Sequence, residues 1–184
     1  VEFSKNIKPS FDLASLNSIF ILMGSGDDVV AIDAHDQTLS GNISIQLAAG
    51  DDTLFFIGDT QHQDSVANDV RIHCSSGADF VFIADLSIAD DLCFTGGRGN
   101  DEVILQSVSV KDNALISSQT GADSVSIANS NFSGNTKVAM GRQSDHFESV
   151  STNFQNRFKL NAGAGTDSSN IDDTNEFSGQ TRTK

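Results

Sequence analysis

The sequence predicts an all-β fold: a right-handed, three-sided parallel β-helix of about seven coils, with about 22 residues per coil. Two observations predict it, a Gly-x-Asp motif that recurs along the chain and alternating apolar residues on both sides of that motif. Successive motif aspartates lie 24, 27, 22, 22, 22 and 22 residues apart; they are Asp28, Asp52, Asp79, Asp101, Asp123, Asp145 and Asp167. A glycine stands two residues before each of them except Asp145, where Gln143 takes its place.

Apolar residues recur at fixed distances from the motif aspartate, which indicates short strands with one buried face. One column lies seven residues before it: Ile21, Ile45, Ile72, Phe94, Ile116, Val138 and Leu160. Similar columns lie nine residues before the motif aspartate and two and four residues after it. A shorter column lies nine residues after it and contains Ile88, Val110, Phe132 and Phe154. Equivalent residues would stack about 4.8 Å apart as interior ladders. A β-sandwich does not need such a fixed long period, and parallel crossovers favour the right hand.

The two ends of the chain depart from the repeat. We predict an N-terminal cap over residues 1–18, the β-helix over residues 19–172, and a polar C-terminal tail over residues 173–184 that frays. The extra residues of the two longer coils, 37–41 and 61–68, are predicted to protrude as corner loops.

Composition narrows the classes of partner. Asp and Glu number 25 against 11 Lys and Arg, giving a net charge of −14. Phosphate groups and anionic membrane surfaces repel such a chain, so we expect no nucleic acid partner. We also expect no membrane insertion, because no apolar run approaches the roughly 20 residues that a membrane span needs. The chain begins at Val1 without a start Met, which we interpret as a mature or trimmed fragment. We expect a secreted or cell-surface bacterial protein.

The reactive side chains do not converge in the sequence. By the column spacing, the Cα atoms of Cys74 and Cys93 would lie about 11 Å apart, beyond the roughly 7 Å that a disulfide allows, so we expect two free thiols. The four His residues occupy different columns, which predicts no zinc site. With no nucleophile elbow or phosphate-binding glycine loop, we predict no catalytic site and no required cofactor.

The aspartate column permits two interpretations, because stacked carboxylates repel one another unless something offsets the charge. In the structural interpretation, each carboxylate accepts backbone N–H bonds within its own turn. In the functional one, a row of Ca²⁺ ions is held by carboxylates and backbone carbonyls.

One corner resembles a known family. The segment Gly96-Gly97-Arg98-Gly99-Asn100-Asp101-Glu102-Val103-Ile104 is similar to the calcium-binding nonapeptide of RTX β-rolls, with partial matches at 24–30, 49–54 and 163–167. The resemblance implies calcium between successive turns of a secreted protein, with Asp27, Asp28, Asp51, Asp52, Asn100, Asp101 and Asp167 as candidate ligands. RTX rolls repeat this motif every nine residues, whereas here it returns once per coil, so the structural interpretation is favoured.

Two further columns are informative. A polar column ten residues before the motif is predicted to form a structural side-chain ladder; it contains Asn42, Asp69, Asp91, Asn113 and Asn135, with Arg157 last. An outward apolar stripe, which is predicted to be an interface, contains Phe55, Phe82 and Ile104, with Phe80 nearby. Either the N-terminal segment or a corner loop covers this stripe, or two solenoids pack side by side through it.

We expect a non-enzymatic structural or adhesive β-solenoid module. One alternative is a calcium-binding RTX-like module. Another is a polysaccharide-binding or lyase-type β-helix, because Arg98 and Arg142 beside the acidic corner resemble the pectate-lyase type, in which calcium holds an acidic polysaccharide and a basic side chain abstracts a proton. In the structural interpretation, both arginines neutralise the aspartate column.

Overall fold

A computed structural model describes residues 16–35, 38, 41–59 and 67–183. These residues form strands and turns without a helix, and they build about seven stacked coils. We number each coil by its motif aspartate, from Asp28 in coil 1 to Asp167 in coil 7. The predicted all-β parallel solenoid is therefore confirmed, and its handedness stays a prediction.

Three parallel sheets run along the stack. Within the described residues, sheet 1 has eight strands: β1 (Ile19–Leu22), β3 (Ile43–Gln46), β5 (Val70–Ser76), β8 (Leu92–Arg98), β11 (Ala114–Thr120), β14 (Thr136–Arg142), β17 (Phe158–Asn161) and β20 (Thr181–Thr183). Sheet 2 contains β2 (Val29–Asp33), β4 (Thr53–Ile57), β6 (Phe80–Ala84), β9 (Glu102–Gln106), β12 (Ser124–Ala128), β15 (His146–Val150) and β18 (Ser168–Ile171). Sheet 3 contains β7 (Ser87–Ile88), β10 (Ser109–Val110), β13 (Asn131–Phe132), β16 (Asn153–Phe154) and β19 (Glu176–Phe177).

The register of these strands confirms the predicted columns. Ile72 pairs with Phe94, and Phe94 pairs with Ile116. The columns after the motif and in sheet 3 also stack, as Val103 does on Val125. These side chains are buried and form one continuous core, so burial of the inward-facing residues stabilises each coil against its neighbours.

The C-terminal half of the core is filled largely by phenylalanine. Phe132, Phe154 and Phe177 stack through sheet 3 with ring centroids 5.4 and 5.3 Å apart and interplanar angles of 7° and 9°. Phe158 packs against Phe154 from sheet 1, with centroids 4.4 Å apart. Rings contributed by two sheets thus fill the interior together.

The corner between sheets 1 and 2 depends on glycine. Gly50 has a φ of 138°, and a Cβ there would lie 2.3 Å from the carbonyl oxygen of Gly26 in the coil before. Coils in this column approach too closely for a side chain, which explains the Gly-x-Asp motif. Gln143 takes the same left-handed conformation with a φ of 78°. The adjacent inter-coil bond from Gly121 N–H to the Arg142 carbonyl is lengthened to 3.4 Å.

The predicted boundaries need one correction. The solenoid does not end at residue 172, because Glu176 pairs with Asn153 and Thr181 pairs with Phe158. Residues 173–183 therefore extend sheets 1 and 3 instead of fraying. Most of the predicted N-terminal cap and most of the two corner loops lie outside the described residues; Leu16, just before β1, packs partly against the core.

Both cysteines are free thiols, as predicted. Cys74 is buried inside the stack, and Cys93 is partly exposed on the outward face of sheet 1.

Adjacent residues on β11 offer a test of the stacking. Ile116 is fully buried and Leu115 is 38% exposed, so alanine at each removes a similar apolar side chain from opposite faces. We expect Ile116→Ala to lower the free energy of unfolding by about 2–5 kcal/mol, because it leaves a cavity in the ladder. Leu115→Ala should change it by less than about 1 kcal/mol. Urea unfolding of both variants measures this difference, and equal losses would contradict the assigned register.

Candidate functional site

The motif aspartates lie inside the corner between sheets 1 and 2. Five of them are at most 3% exposed: Asp52, Asp79, Asp101, Asp123 and Asp145. Carboxylates are rarely buried to this extent without a partner, so the hydrogen bonds of each carboxylate oxygen decide what the column does.

One oxygen of each carboxylate holds the coil before it. Asp101 Oδ1 accepts the backbone N–H of Asp79 at 3.1 Å, and Asp123 Oδ1 accepts that of Asp101 at 2.9 Å. The same bond joins every consecutive pair from Asp28 to Asp167, at 2.8 to 3.1 Å. The structural interpretation was right that backbone N–H groups are the donors. It was wrong about their place, because the donor belongs to the preceding coil and not to the same turn.

The residue just before the motif aspartate forms a second ladder in the opposite direction. Asp27 Oδ1 accepts the N–H of Asp51 at 3.0 Å, and Asp51 Oδ1 accepts that of Ala78 at 2.7 Å. Asn100 Oδ1 repeats this contact with the N–H of Ala122 at 2.9 Å. Where both acceptors are present, a corner is therefore tied to the coil before it and to the coil after it.

The second oxygen of the buried carboxylates is unsatisfied. Within the described residues, Oδ2 of Asp52, Asp79, Asp101, Asp123 and Asp145 is buried and lacks a hydrogen-bond partner. Burial raises the pKa of all five groups, and the accepted N–H bonds oppose this shift. Neighbouring carboxylates raise the pKa of four of them further: Asp52, Asp79, Asp101 and Asp145. Burial raises the pKa of Asp101 to about 7 and that of Asp52 to about 6. Asp101 is therefore partly protonated near neutral pH.

The interior beside the carboxylates holds side chains that the motif did not reveal. A Cβ on Gly96 would lie 2.3 Å from Asp101 Oδ2, so this glycine provides the space for the carboxylate. Cys74 lies in the equivalent position of coil 3, where burial and the charges of Asp79 and Asp101 raise the pKa of its thiol. The thiol is thereby kept in its protonated, unreactive form. Ser118, in coil 5, donates to the carbonyl of Met140 at 2.5 Å.

The predicted calcium ligands do not share one environment. Asp52 and Asp101 are buried, Asp28 and Asp167 are partly exposed, and Asp27, Asp51 and Asn100 are exposed. Among the residues that the structure describes, no group of three or more His, Cys, Asp and Glu side chains is arranged to hold a metal ion. Calcium binding stays a prediction, and the RTX resemblance is not confirmed.

The polar column beside sheet 1 confirms the predicted ladder. Asn113 Oδ1 accepts both the backbone N–H and the side-chain amide of Asn135, each at 3.1 Å. The backbone contact recurs in earlier coils, from the N–H of Asp69 to Asn42 Oδ1 and from the N–H of Asp91 to Asp69 Oδ1. These side chains join successive coils at the second corner of sheet 1 and have a structural role.

The predicted interface residues do lie together on the outward face of sheet 2. Phe55 pairs with Phe82, and Phe82 pairs with Ile104. The Phe55 ring meets those of Phe80 and Phe82 edge-on, with centroids 5.8 and 6.4 Å apart, and is 37% exposed. Val29 in coil 1 is 69% exposed. We call Val29, Phe55, Phe80, Phe82 and Ile104 the apolar face; the two covering segments proposed from the sequence fall largely outside the described residues.

Arg98 and Arg142 do not neutralise the aspartate column. Both side chains are exposed, whereas the motif carboxylates of their coils, Asp101 and Asp145, face the interior. In the described parts of the chain, neither arginine forms an ion pair, unlike Arg71, whose guanidinium lies 2.9 Å from Asp69.

Comparison with family models, with curated proteins and with solved structures finds no match for this chain. Among the described residues, none forms a helix of the length and apolar character required to cross a bilayer.

The buried aspartates predict that acid stabilises the fold. The pKa of Asp101, about 7 in the folded chain, lies above its ordinary value of 3.8, so the folded state binds its proton more tightly. The stability that this group contributes is complete below pH 3.8 and is lost as the pH rises through 7. We expect the free energy of unfolding to fall between pH 5 and pH 8, and Asp101→Asn to reduce that fall by on the order of 2 kcal/mol.

The measurement is urea unfolding at each pH. Asp90→Asn is the matched control, because it removes one carboxylate from an exposed position. If both variants flatten the pH dependence equally, net charge and not burial is responsible. If the wild type becomes less stable on going from pH 8 to pH 5, the assignment of raised pKa values is wrong.

Proposed function

We propose that this chain is a non-enzymatic structural and adhesive β-solenoid module of a bacterial secreted or cell-surface protein. The observation that carries the proposal is the aspartate ladder. Carboxylates are side chains that can serve acid–base or metal chemistry. In the ladder, the carboxylates accept backbone N–H bonds from the neighbouring coil. Their role there is structural.

One thiol and two hydroxyl groups buried within the stack support the same proposal. Cys74 is buried and its raised pKa keeps it protonated. Ser118 and Thr152 are buried, and their hydroxyls donate to backbone carbonyls of this chain. Groups that would act as nucleophiles in an enzyme are thus engaged in holding coils and corners.

The adhesive part of the proposal rests on the apolar face. Its residues come from four successive coils and form one contiguous surface on sheet 2. In the same column the next residues are Ser126, Glu148 and Asn170, so the apolar character is confined to the N-terminal coils. Exposed apolar surface of this kind marks a contact with another molecule, and a second copy of the chain is the partner that we propose.

Self-association tests this proposal. We expect the wild-type chain to dimerise with a dissociation constant between about 10 μM and 1 mM, because the apolar face comprises five side chains, whereas stable interfaces use about 20–30 residues on each side. Phe55→Ser combined with Phe82→Ser should abolish dimerisation. Sedimentation velocity over a concentration series measures it, with Leu115→Ser, an exposed apolar position on sheet 1, as the control. A wild type that stays monomeric throughout would refute the proposed contact.

A further inference from the structure

The positive charge of this acidic chain is concentrated in its last coils. No Lys or Arg occurs between residues 9 and 70. Five of the 11 Lys and Arg residues fall between residues 137 and 182: Lys137, Arg142, Arg157, Lys159 and Arg182. The strands that carry them are consecutive in sheet 1, so this uneven distribution becomes a local surface.

The register of sheet 1 places three of these residues in one column. Lys137 on β14 pairs with Lys159 on β17, and Lys159 pairs with Arg182 on β20. Val138 and Leu160, the next residues along β14 and β17, are buried, so both lysines lie on the outward side of the sheet.

Two arginines flank this column. Arg157 directly precedes β17 and Arg142 is the last residue of β14, and both are exposed. We call the surface of Lys137, Arg142, Arg157 and Lys159, together with the position of Arg182, the basic face.

Among the described residues, no acidic residue lies on the outward side of β14 or β17. The other outward residues of β14 and β17 include Ala139 and Asn161, and the neighbouring corners carry Asn156 and Ser144. In the part of the chain that the structure describes, no carboxylate forms an ion pair with Lys137, Lys159, Arg142 or Arg157.

Like charges on directly paired strands repel each other and destabilise the sheet. The chain has 25 Asp and Glu residues that could offset this repulsion. Arg71 shows the arrangement that the basic face lacks, since it occupies the same column in coil 3 and pairs with Asp69 at 2.9 Å. Lys137 and Lys159, which are stacked without an ion-pair partner among the described residues, are therefore suited to an external anion.

We propose that the basic face binds a linear acidic polysaccharide. A column of cations with one residue per coil is a straight row with a step of about 4.8 Å, which suits an extended polymer that carries an acidic group on each repeat. The guanidinium groups at either side can bind such groups through paired N–H donors.

Duplex nucleic acid fits this surface less well. Its charges are denser and extend well beyond three coils, so it would reach the exposed carboxylates of Asp90 and Asp112 at the corner next to sheet 1. The inference rests on the proposed adhesive role, but it uses a different sheet from the apolar face, so the two can fail separately.

Affinity electrophoresis of the full chain at low ionic strength tests the proposal. The probes are polygalacturonate, dextran sulfate, neutral dextran and duplex DNA. We expect both acidic polysaccharides to retard the wild type, with retardation that falls as salt is added, and neutral dextran to have no effect. Lys137→Gln combined with Lys159→Gln should weaken binding at least about tenfold, because each lost charge-assisted hydrogen bond contributes on that order.

The matched control is Arg71→Gln combined with Arg98→Gln, which removes the same charge from coils 3 and 4 and should leave binding within about twofold of wild type. Absence of retardation by both acidic polysaccharides overturns the proposal. So does an equal loss in the two double variants, which would show a net-charge effect, or tighter binding to duplex DNA than to either polysaccharide. Circular dichroism confirms that each variant is folded. Phe55→Ser combined with Phe82→Ser should retain polysaccharide binding, so a failure of dimerisation does not affect this test.

Discussion

Register between successive coils is the constraint on which this structure depends. Parallel pairing sets each residue above its equivalent, as with Ile72, Phe94 and Ile116. The aspartate ladder supports the same register at the corner, because Asp101 Oδ1 accepts the N–H of its equivalent, Asp79, in the coil before. A slip of one residue would turn the core side chains outward and would break the ladder at the same time. The sheets and the corner therefore select one alignment jointly.

The ladder also explains why an acidic side chain is tolerated in the interior. The backbone turns at the corner, so its N–H groups have no strand partner there, and a buried unpaired N–H is costly. The carboxylate of the next coil supplies the acceptor. This arrangement costs free energy at the second carboxylate oxygen, which is buried without a hydrogen-bond partner among the described residues, as in Asp101. Protonation reduces that penalty, because a neutral carboxyl group is less costly to bury than a carboxylate, and the raised pKa expresses this balance.

The columns of the core could be predicted from the sequence, because inward residues in a strand alternate with period two and the coil length is nearly constant. The sequence could not predict that the side chains of the motif aspartates point into the interior. Alternation ends where the backbone turns, and left-handed residues such as Ser75 and Gln119, just before the motif glycines, reset which side chains face inward. Nor could the sequence show that the N–H donor lies in another coil. The basic face did leave a signal, since Lys137 and Lys159 are one coil length apart, but it becomes visible only when the outward columns are compared as closely as the inward ones.

Inward and outward columns of this solenoid are subject to different constraints, and that difference permits its surface to carry more than one contact. An inward column stays largely apolar, with Thr136 and Ser149 as buried polar members, because its side chains pack against the coils above and below. An outward column is free to change along the stack, and one of them passes from Phe55 and Phe82 to Ser126 and Glu148 without a break in pairing. Apolar side chains gather on sheet 2 of the early coils and cations on sheet 1 of the late ones. Because the two surfaces lie on different sheets and at opposite ends of the stack, either can change without disturbing the ladders that hold the coils together.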